Sequence, residues 1–191
     1  MKKVLVTVLF AILACGAWAD DEKPEIQTYI SGRIGFGGMS NEGDGLSGTT
    51  TAIALGSKGA ITNTVDFRLE GEFSFNRFDE VDSHGYLVLD QMVTTAMLNA
   101  YVDFMTNYRV RPYLGLGAGR ITIREMGEAS PGLWSRVYDE AYGFGLYAGV
   151  GFYLTTNRKF AGDVGIRYIF VSLLGQDRYM ANINFGTRYV F

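Results

Sequence analysis

The sequence predicts an all-β fold, a single antiparallel up-and-down barrel of eight strands, and three observations support this prediction. Apolar and polar residues alternate with a period of two in eight successive segments, as side chains do along a β-strand. The chain is rich in aromatic residues (14%) and in glycine (25 residues) and has three prolines, a composition that favours strands. The links between the segments are alternately short and long, which is typical of a meander whose two ends face different environments.

The beginning of the chain has the features of a secretory signal peptide. Two lysines precede a short apolar run, and the sequence "AWA" at 17–19 is a typical cleavage site. We expect residues 1–19 to be removed and residues 20–191, 191 − 19 = 172 in all, to form one barrel domain. Lipidation of Cys15 is an alternative, because "ILAC" resembles a bacterial lipobox.

The charge balance and the cysteine count exclude several classes of function. Without the two lysines of the signal peptide, 17 − 2 = 15 basic residues stand against 20 acidic ones, a net charge of about −5. This balance argues against nucleic acid as a partner. The only cysteine lies in the expected signal peptide, so we expect no disulfide and no cysteine-based metal site, and we predict no cofactor.

The eight alternating segments follow one another along the whole mature chain. In order, they are residues 26–36, 49–57, 65–76, 94–104, 111–121, 142–154, 163–170 and 181–191. The third segment, "VDFRLEGEFSFN", shows the alternation most clearly, with Phe67, Leu69 and Phe73 on one face and charged residues on the other. The short links are expected near 57–63, 105–108 and 155–162, and the long ones near 40–48, 77–91, 122–140 and 171–179.

The size of the residues on each face indicates which face points inward. The polar face carries a set of charged side chains, which we predict to pair inside the barrel, with Asp66 as a further carboxylate: Arg33, Arg68, Glu70, Glu72, Asp103, Arg167 and Arg188. Glycines on the same face leave space for these long side chains in an eight-stranded barrel. The opposite face is apolar and aromatic, which a bilayer tolerates but water does not. We therefore expect a transmembrane barrel with a packed polar interior; a periplasmic lipocalin-like binder, with the apolar face inward, is the soluble alternative.

The order and spacing of the motifs resemble those of a known family. "VDFRLEGEFSF", "LNAYVDF", "RPYLGLGAG", "YAGVGF" and "DVGIRYIF" resemble the opacity-type, OmpA-like eight-stranded barrels of Gram-negative outer membranes. The resemblance covers essentially the whole mature chain. It implies a barrel in the bacterial outer membrane, with both termini in the periplasm and four external loops.

The last strand carries the most specific part of this resemblance. In that family the chain ends on an aromatic residue, with apolar residues at every second position before it, and the outer-membrane assembly machinery recognises this pattern. The matching residues here are Ile183, Phe185, Tyr189 and Phe191. Phe191 also suits a simple anchoring role at the membrane interface.

The function that the resemblance implies is that of a non-enzymatic surface protein, structural or adhesive through its external loops. The expected partners are outer-membrane lipid and lipopolysaccharide, the assembly machinery and a host or cell-surface ligand. Trp134 and Tyr138, in the expected loop at 122–140, are candidate contact residues, although Trp134 equally suits the lipid headgroup level. The charged side chains that fill the lumen argue against an open pore.

Two other functions remain open at the level of the sequence. One is a lipid-A-modifying enzyme, which would need a serine and a histidine that pair. The single histidine, His84, follows Ser83 directly, and adjacent side chains on an extended chain point apart. The acidic residues around it lack the spacing of a calcium-binding loop, so we predict no metal site. The second alternative is a narrow channel, which would need a gap in the interior charges.

Overall fold

The computed structural model describes residues 26–41, 44–81, 87–104, 110–130, 133–156, 158–173 and 176–191. Eight strands make up nearly all of these residues: β1 (Gln27–Asn41), β2 (Asp44–Thr62), β3 (Val65–Val81), β4 (Leu87–Phe104), β5 (Val110–Ser130), β6 (Leu133–Tyr153), β7 (Phe160–Leu173) and β8 (Gln176–Val190).

Each strand pairs with the next in an antiparallel sense, and β1 pairs with β8, so the sheet closes into a barrel. The closing register runs from Tyr29 opposite Val190 to Ser40 opposite Tyr179. Next to the Tyr29–Val190 pair, the Phe191 amide donates to the Thr28 carbonyl at 3.0 Å. Closure gives every strand a hydrogen-bonded neighbour on both sides, which the hydrocarbon core of a membrane requires. The predicted eight-stranded antiparallel barrel is confirmed.

The two ends of the barrel differ in how the strands are joined. The chain enters β1 and leaves β8 at one end, which we call the terminal end. At the opposite end, which we call the hairpin end, β1 joins β2, β3 joins β4, β5 joins β6 and β7 joins β8.

The long links that we expected at the hairpin end are wrong for most of their length. Within the expected loop at 122–140, β5 continues to Ser130 and β6 begins at Leu133. Similarly, β1 reaches Asn41 and β2 begins at Asp44. The physical reason is that the alternation continues through these segments but changes phase, so charged residues on the outer face of a strand look like a polar loop.

The side chains of the middle and terminal parts of the barrel lie as the alternation predicts. The outward positions form a continuous apolar surface, which includes Ile34, Phe73, Leu114, Leu146 and Ile166. The polar positions between them face the lumen and are buried. Among the described residues, no helix is long and apolar enough to span a membrane.

Candidate functional site

The barrel interior towards the terminal end holds a cross-linked set of buried charges. We call this set the polar network: Arg33, Arg68, Glu70, Glu72, Asp103, Asp163 and Arg167. Glu72 accepts hydrogen bonds from Arg33 Nη1 at 2.5 Å and from Arg167 Nη1 at 2.6 Å. Arg33 Nη2 also donates to Glu70 Oε1 at 2.6 Å. One carboxylate on β3 therefore connects arginines from β1 and β7 across the lumen.

Arg68 is the largest fully buried side chain in the described part of the chain. Its Nη2 donates to Asp103 Oδ1 at 2.8 Å, and its Nε lies 2.7 Å from the other oxygen of that carboxylate. The guanidinium group also lies over the rings of Tyr101 (4.4 Å) and Tyr113 (5.0 Å). A bidentate ion pair and two cation–π contacts compensate the desolvation of this charge.

Three tyrosines fill the lumen beside the polar network, and glycines make room for them. Tyr101, Tyr113 and Tyr147 form one buried cluster, in which the Tyr147 hydroxyl donates to Asn99 Oδ1 at 2.9 Å. A Cβ atom on Gly149 would lie 2.5 Å from the Tyr113 hydroxyl. Any side chain at this position would displace the ring, so the glycine is needed here for close approach and not for backbone freedom.

The structure brings together six of the seven charged residues that the sequence places inside the barrel. The seventh, Arg188, is also buried in the lumen, where its guanidinium lies 5.2 Å from the Tyr29 ring, but it belongs to no ion pair of the described residues. Asp66 pairs with Arg111 at 2.9 Å and not with the predicted arginines. The charge set predicted from the sequence omits Arg111 and Asp163, although both continue the polar phase at the first positions of their segments.

A cluster of apolar side chains crosses the lumen on the hairpin side of the polar network, and Gln91, Glu125 and Arg178 form a small polar group beside it. We call the apolar cluster the apolar layer: Met39, Leu46, Phe78, Val93, Met97, Ile121, Ile123, Ile169, Val171 and Met180, with Ala141 packed against it. Seven of the eight strands contribute buried side chains to this layer, and β6 contributes the partly buried Ala141 at its edge. The sequence analysis predicts a polar interior along the whole barrel, and this layer corrects that expectation.

A change of phase within single strands produces the apolar layer. On β5, Leu114 and Leu116 face outward, whereas Ile121 and Ile123, at odd-numbered positions, are fully buried inside. The outward positions that follow are Arg120 and the exposed Arg124. The same inversion is visible in the sequence of β3, where Phe75 is outward and Phe78 inward. Apolar residues at the alternate positions that are polar elsewhere in the strand were the sequence signal for this layer.

The outer surface near the hairpin end is polar and carries exposed tyrosines. Tyr138 is 59% exposed and Tyr142 is 85% exposed, both on the outer face of β6. Arg120 forms an ion pair with Glu140, and this hydrogen bond raises the pKa of Arg120 above its usual range. Arg77, on β3, likewise contacts Asp79 at 3.2 Å and Asp90 at 3.3 Å.

Two sequence-predicted groups at this end lie outside what the structure describes. Trp134 belongs to β6 by its backbone, but its side chain is not among the described residues; Ser83 and His84 are not described at all. Within the described ranges, no group of three His, Cys, Asp or Glu side chains is arranged to hold a metal ion.

The residues of the C-terminal pattern share the outer face of β8. Ile183, Phe185 and Phe191 are exposed there. The Tyr189 ring contacts Phe160 at 4.9 Å and Phe191 at 5.4 Å between centroids. These rings form an apolar strip beside the seam at which β8 closes on β1.

A closed eight-stranded barrel with an apolar outer surface and a charged, packed lumen is an integral membrane β-barrel. The chain matches the family described as "Outer membrane protein beta-barrel domain" over residues 5–191, and it belongs to that family. It is therefore an outer-membrane β-barrel protein, and its location is the bacterial outer membrane.

Solved structures with the same fold include surface proteins and an enzyme. Neisserial surface protein A is 20% identical, with a TM-score of 0.62 over 86% of this chain and 97% of that chain. Ail, the attachment invasion locus protein of Yersinia pestis, is 19% identical, with a TM-score of 0.54 over 86% and 98%. The outer membrane enzyme PagL is 13% identical, with a TM-score of 0.51 over 83% and 97%. No curated protein matched the chain. At these identities the likeness concerns the fold, which hosts both classes of function.

Proposed function

We propose that this outer-membrane protein is a non-enzymatic surface protein, whose barrel is a closed scaffold and whose hairpin end contacts a partner outside the cell. The apolar layer is the observation that carries this proposal. It blocks the lumen with side chains from seven strands and with Ala141 of β6 packed against them, and Phe78, Ile121 and Ile123 are fully buried in it. The strands that carry it have a polar outer face, which suits water beyond the bilayer.

The absence of an open pore follows from two successive obstructions in this proposal. The polar network fills the terminal side of the lumen, and the apolar layer fills the hairpin side. A continuous water path would require both to rearrange. This is unfavourable in free energy, because it would leave buried charges unpaired and expose apolar side chains to water. Purified protein in planar bilayers is expected to show no steady conductance above that of the protein-free membrane. A stable single-channel current would refute the closed scaffold.

The exposed tyrosines of β6 are the best candidates for the contact with a partner. Aromatic side chains are the most frequent anchors of protein contacts, and Tyr138 stands on the polar outer surface near the end of a hairpin. Tyr142, four residues nearer to the apolar surface on the same face, suits the lipopolysaccharide headgroup level, where aromatic girdles lie. This assignment places both termini in the periplasm and the four hairpins outside.

Assembly by the outer-membrane machinery is a further part of the proposal. The alternate residues Ile183, Phe185, Tyr189 and Phe191 form one continuous apolar strip on an outer face. Because this strip belongs to the strand that closes the barrel, a factor that holds it would control closure.

Adhesion of whole cells tests the contact surface. Cells that display the wild-type protein are expected to bind host-cell monolayers more than cells with an empty vector, and Trp134→Ala with Tyr138→Ala should remove the difference. Tyr168→Ala, an outward tyrosine on the apolar surface of β7, is the matched control. Heat-modifiable gel migration verifies that each variant is folded. Equal adhesion by wild-type and vector cells would refute an adhesive role, and full adhesion by the double variant would place the contact elsewhere.

A further inference from the structure

The lumen near the terminal end contains more cations than carboxylates. The cations described there are Lys58, Arg33, Arg68, Arg111, Arg167 and Arg188. The carboxylates are Asp66, Glu70, Glu72, Asp103 and Asp163. Among these side chains the cations exceed the carboxylates by 6 − 5 = 1. Arg33, Arg68, Arg111 and Arg167 each have a carboxylate within ion-pair distance. The charge excess therefore falls on the other two cations.

Arg188 is the cation with the least compensation. It is 8% exposed, its Nε is buried without a hydrogen-bond partner, and it belongs to no described ion pair. Its Nη2 would lie 3.7 Å from a Cβ atom on Gly151, so the guanidinium lies against the backbone of β6 at this glycine. Burying an arginine in this state is costly unless an anion reaches it.

Lys58 lies at the same end of the barrel, where it attracts Asp66 from a distance but forms no ion pair with a described carboxylate. Its Nζ contacts the Tyr153 hydroxyl at 3.3 Å. The ring of Tyr153 is approached by three cations, Lys58 at 5.6 Å, Arg111 at 4.6 Å and Arg158 at 5.7 Å from its centroid. Of these three cations, Arg111 is paired with Asp66, and Lys58 has no carboxylate at ion-pair distance.

Both uncompensated cations line one pocket. Its walls include Lys58, Arg111, Tyr153 and Arg188, and its volume is about 20 Å³. Asp103 also lines it, but both oxygens of this carboxylate are engaged by Arg68. The volume admits one or two oxygen atoms, so the remainder of a ligand would lie outside the pocket on the terminal side.

We propose that this pocket is a binding site for a small oxyanion, a carboxylate or phosphate group, held by Arg188 and Lys58. Arg188 supplies the Nε and Nη donors from the wall of the lumen, and Lys58 supplies an ammonium group from β2. A bound oxyanion would satisfy the buried donors and cancel the charge excess. The ligand is either free in solution or part of a larger molecule, since only its anionic oxygens need to enter. The proposal is independent of the adhesive role.

Two internal occupants compete with an external anion. The sequence "DDEKPE" at 20–25 places four carboxylates just before Ile26, and the neighbouring Gln27 lies opposite Lys58 in the sheet. Asp163 is the other competitor, because its Oδ2 is buried without a hydrogen-bond partner in the same lumen. Either group would make an external ligand unnecessary, and the experiment must separate them from it.

Titration followed by NMR tests the site with inorganic phosphate as the probe. The full chain, folded in detergent micelles, is titrated at constant ionic strength set with sodium chloride, and the Arg188 Nε–H signal is observed. We expect a saturable shift of this signal in the wild-type chain. The phosphate concentration at the midpoint of the titration should rise at least tenfold for Lys58→Gln and stay unchanged for Arg120→Gln. Repeating the titration with acetate separates carboxylate from phosphate selectivity, and either anion supports the site. Heat-modifiable migration verifies folding of each variant.

Three outcomes would overturn the proposal. The first is a linear shift that Lys58→Gln does not alter, which indicates general ionic effects. The second is no shift in the wild-type chain but a saturable one when residues 20, 21, 22 and 25 are changed to Asn or Gln, which assigns the site to the chain's own carboxylates. The third is no shift in either chain but a saturable one after Asp163→Asn, which assigns Arg188 to an internal ion pair.

Discussion

The two halves of this barrel are built from the same eight strands with opposite polarity. Towards the terminal end the lumen holds ion pairs such as Arg33–Glu72, and the outside is apolar. Towards the hairpin end the lumen holds the apolar layer with one ion pair, Arg178–Glu125, beside it. The outside of this half carries ion pairs such as Arg77–Asp79. The terminal half therefore suits a surrounding of lipid. The hairpin half has the distribution of a soluble barrel, with an apolar inside and a polar outside.

In each half, the lumen holds mainly the residue types that would be unfavourable in contact with the medium outside that half. In lipid, apolar contacts between strands and surroundings gain little, so the specificity of the terminal half comes from its charged interior. Above the lipid, water restores the hydrophobic effect, and apolar side chains again become the favourable filling. A single strand such as β5 serves both environments by moving its apolar residues from even to odd positions.

An ion pair inside the terminal half should therefore contribute far more to the free energy of unfolding than an ion pair on the outside of the hairpin half. Replacing Glu72 by alanine leaves Arg167 without its carboxylate and weakens the hold on Arg33, inside the barrel. We expect a loss of about 3–5 kcal/mol in the free energy of unfolding, the usual cost of breaking a buried pair. Urea unfolding in detergent micelles measures it.

Glu140→Ala is the matched control for this substitution. It also removes a carboxylate from an arginine, Arg120, but the pair is exposed on the outer surface of the hairpin half. Little or no change in stability is expected, because water replaces the lost partner. Equal losses for Glu72→Ala and Glu140→Ala would contradict the division of the barrel into two environments.

Shortening an apolar side chain should cost more stability in the lumen of the hairpin half than on the outer surface of the terminal half. Ile121→Ala removes part of the apolar layer, where no atoms of the solvent can replace the lost contacts, and about 2–4 kcal/mol of stability should be lost. Leu116→Ala, on the same strand but on the outer apolar surface, should cost clearly less in micelles, since detergent chains fill the space. Urea unfolding of both variants gives the comparison. A larger loss for Leu116→Ala would mean that the layer is loosely packed.

The terminal half was predictable from the sequence, and the hairpin half was not. In "VDFRLEGEFSFN", apolar and polar residues alternate over a whole membrane crossing, and this periodicity predicted the fold. The residue types on the two faces predicted which side is the lumen and which seven charged residues lie inside it. The pairing partners did not follow, because which carboxylate meets which arginine depends on register between strands; Asp66 meets Arg111 for this reason.

The extended hairpins were missed because the phase of the alternation changes within a strand. In "GAGRITIREMG", the isoleucines lie on the phase of the inward glycines, and the arginines lie on the phase of the outward leucines. A rule that assigns one polarity to each face interprets such a segment as the end of the strand. The period of two continues beyond Arg120 although the polarity of the two faces is inverted there, and this continuation would have predicted that β5 extends to Ser130.

The exposed aromatics of the two halves should differ in their effect on assembly. Removal of the ring in Phe191→Ala shortens the apolar strip of the closing strand, and we expect less folded protein in the outer membrane and more unfolded precursor. Tyr142→Ala removes an even more exposed ring, on the hairpin half, and should leave the folded amount unchanged. Heat-modifiable migration of the outer-membrane fraction measures both. Wild-type amounts of folded Phe191→Ala would limit this residue to anchoring at the membrane interface.

The smallest effect is expected for the single histidine, which belongs to the hairpin side of the sequence. A lipid-A-modifying role would need His84 as a base, and its replacement would then abolish the change in lipid A. For a surface protein without catalysis, His84→Ala should leave the lipid A of expressing cells identical by mass spectrometry to that of wild-type-expressing and vector-only cells. A lipid A species that appears with the wild-type chain and disappears with His84→Ala would replace the non-enzymatic function with hydrolysis or transfer. The hairpin half would then hold a catalytic group as well as a contact surface.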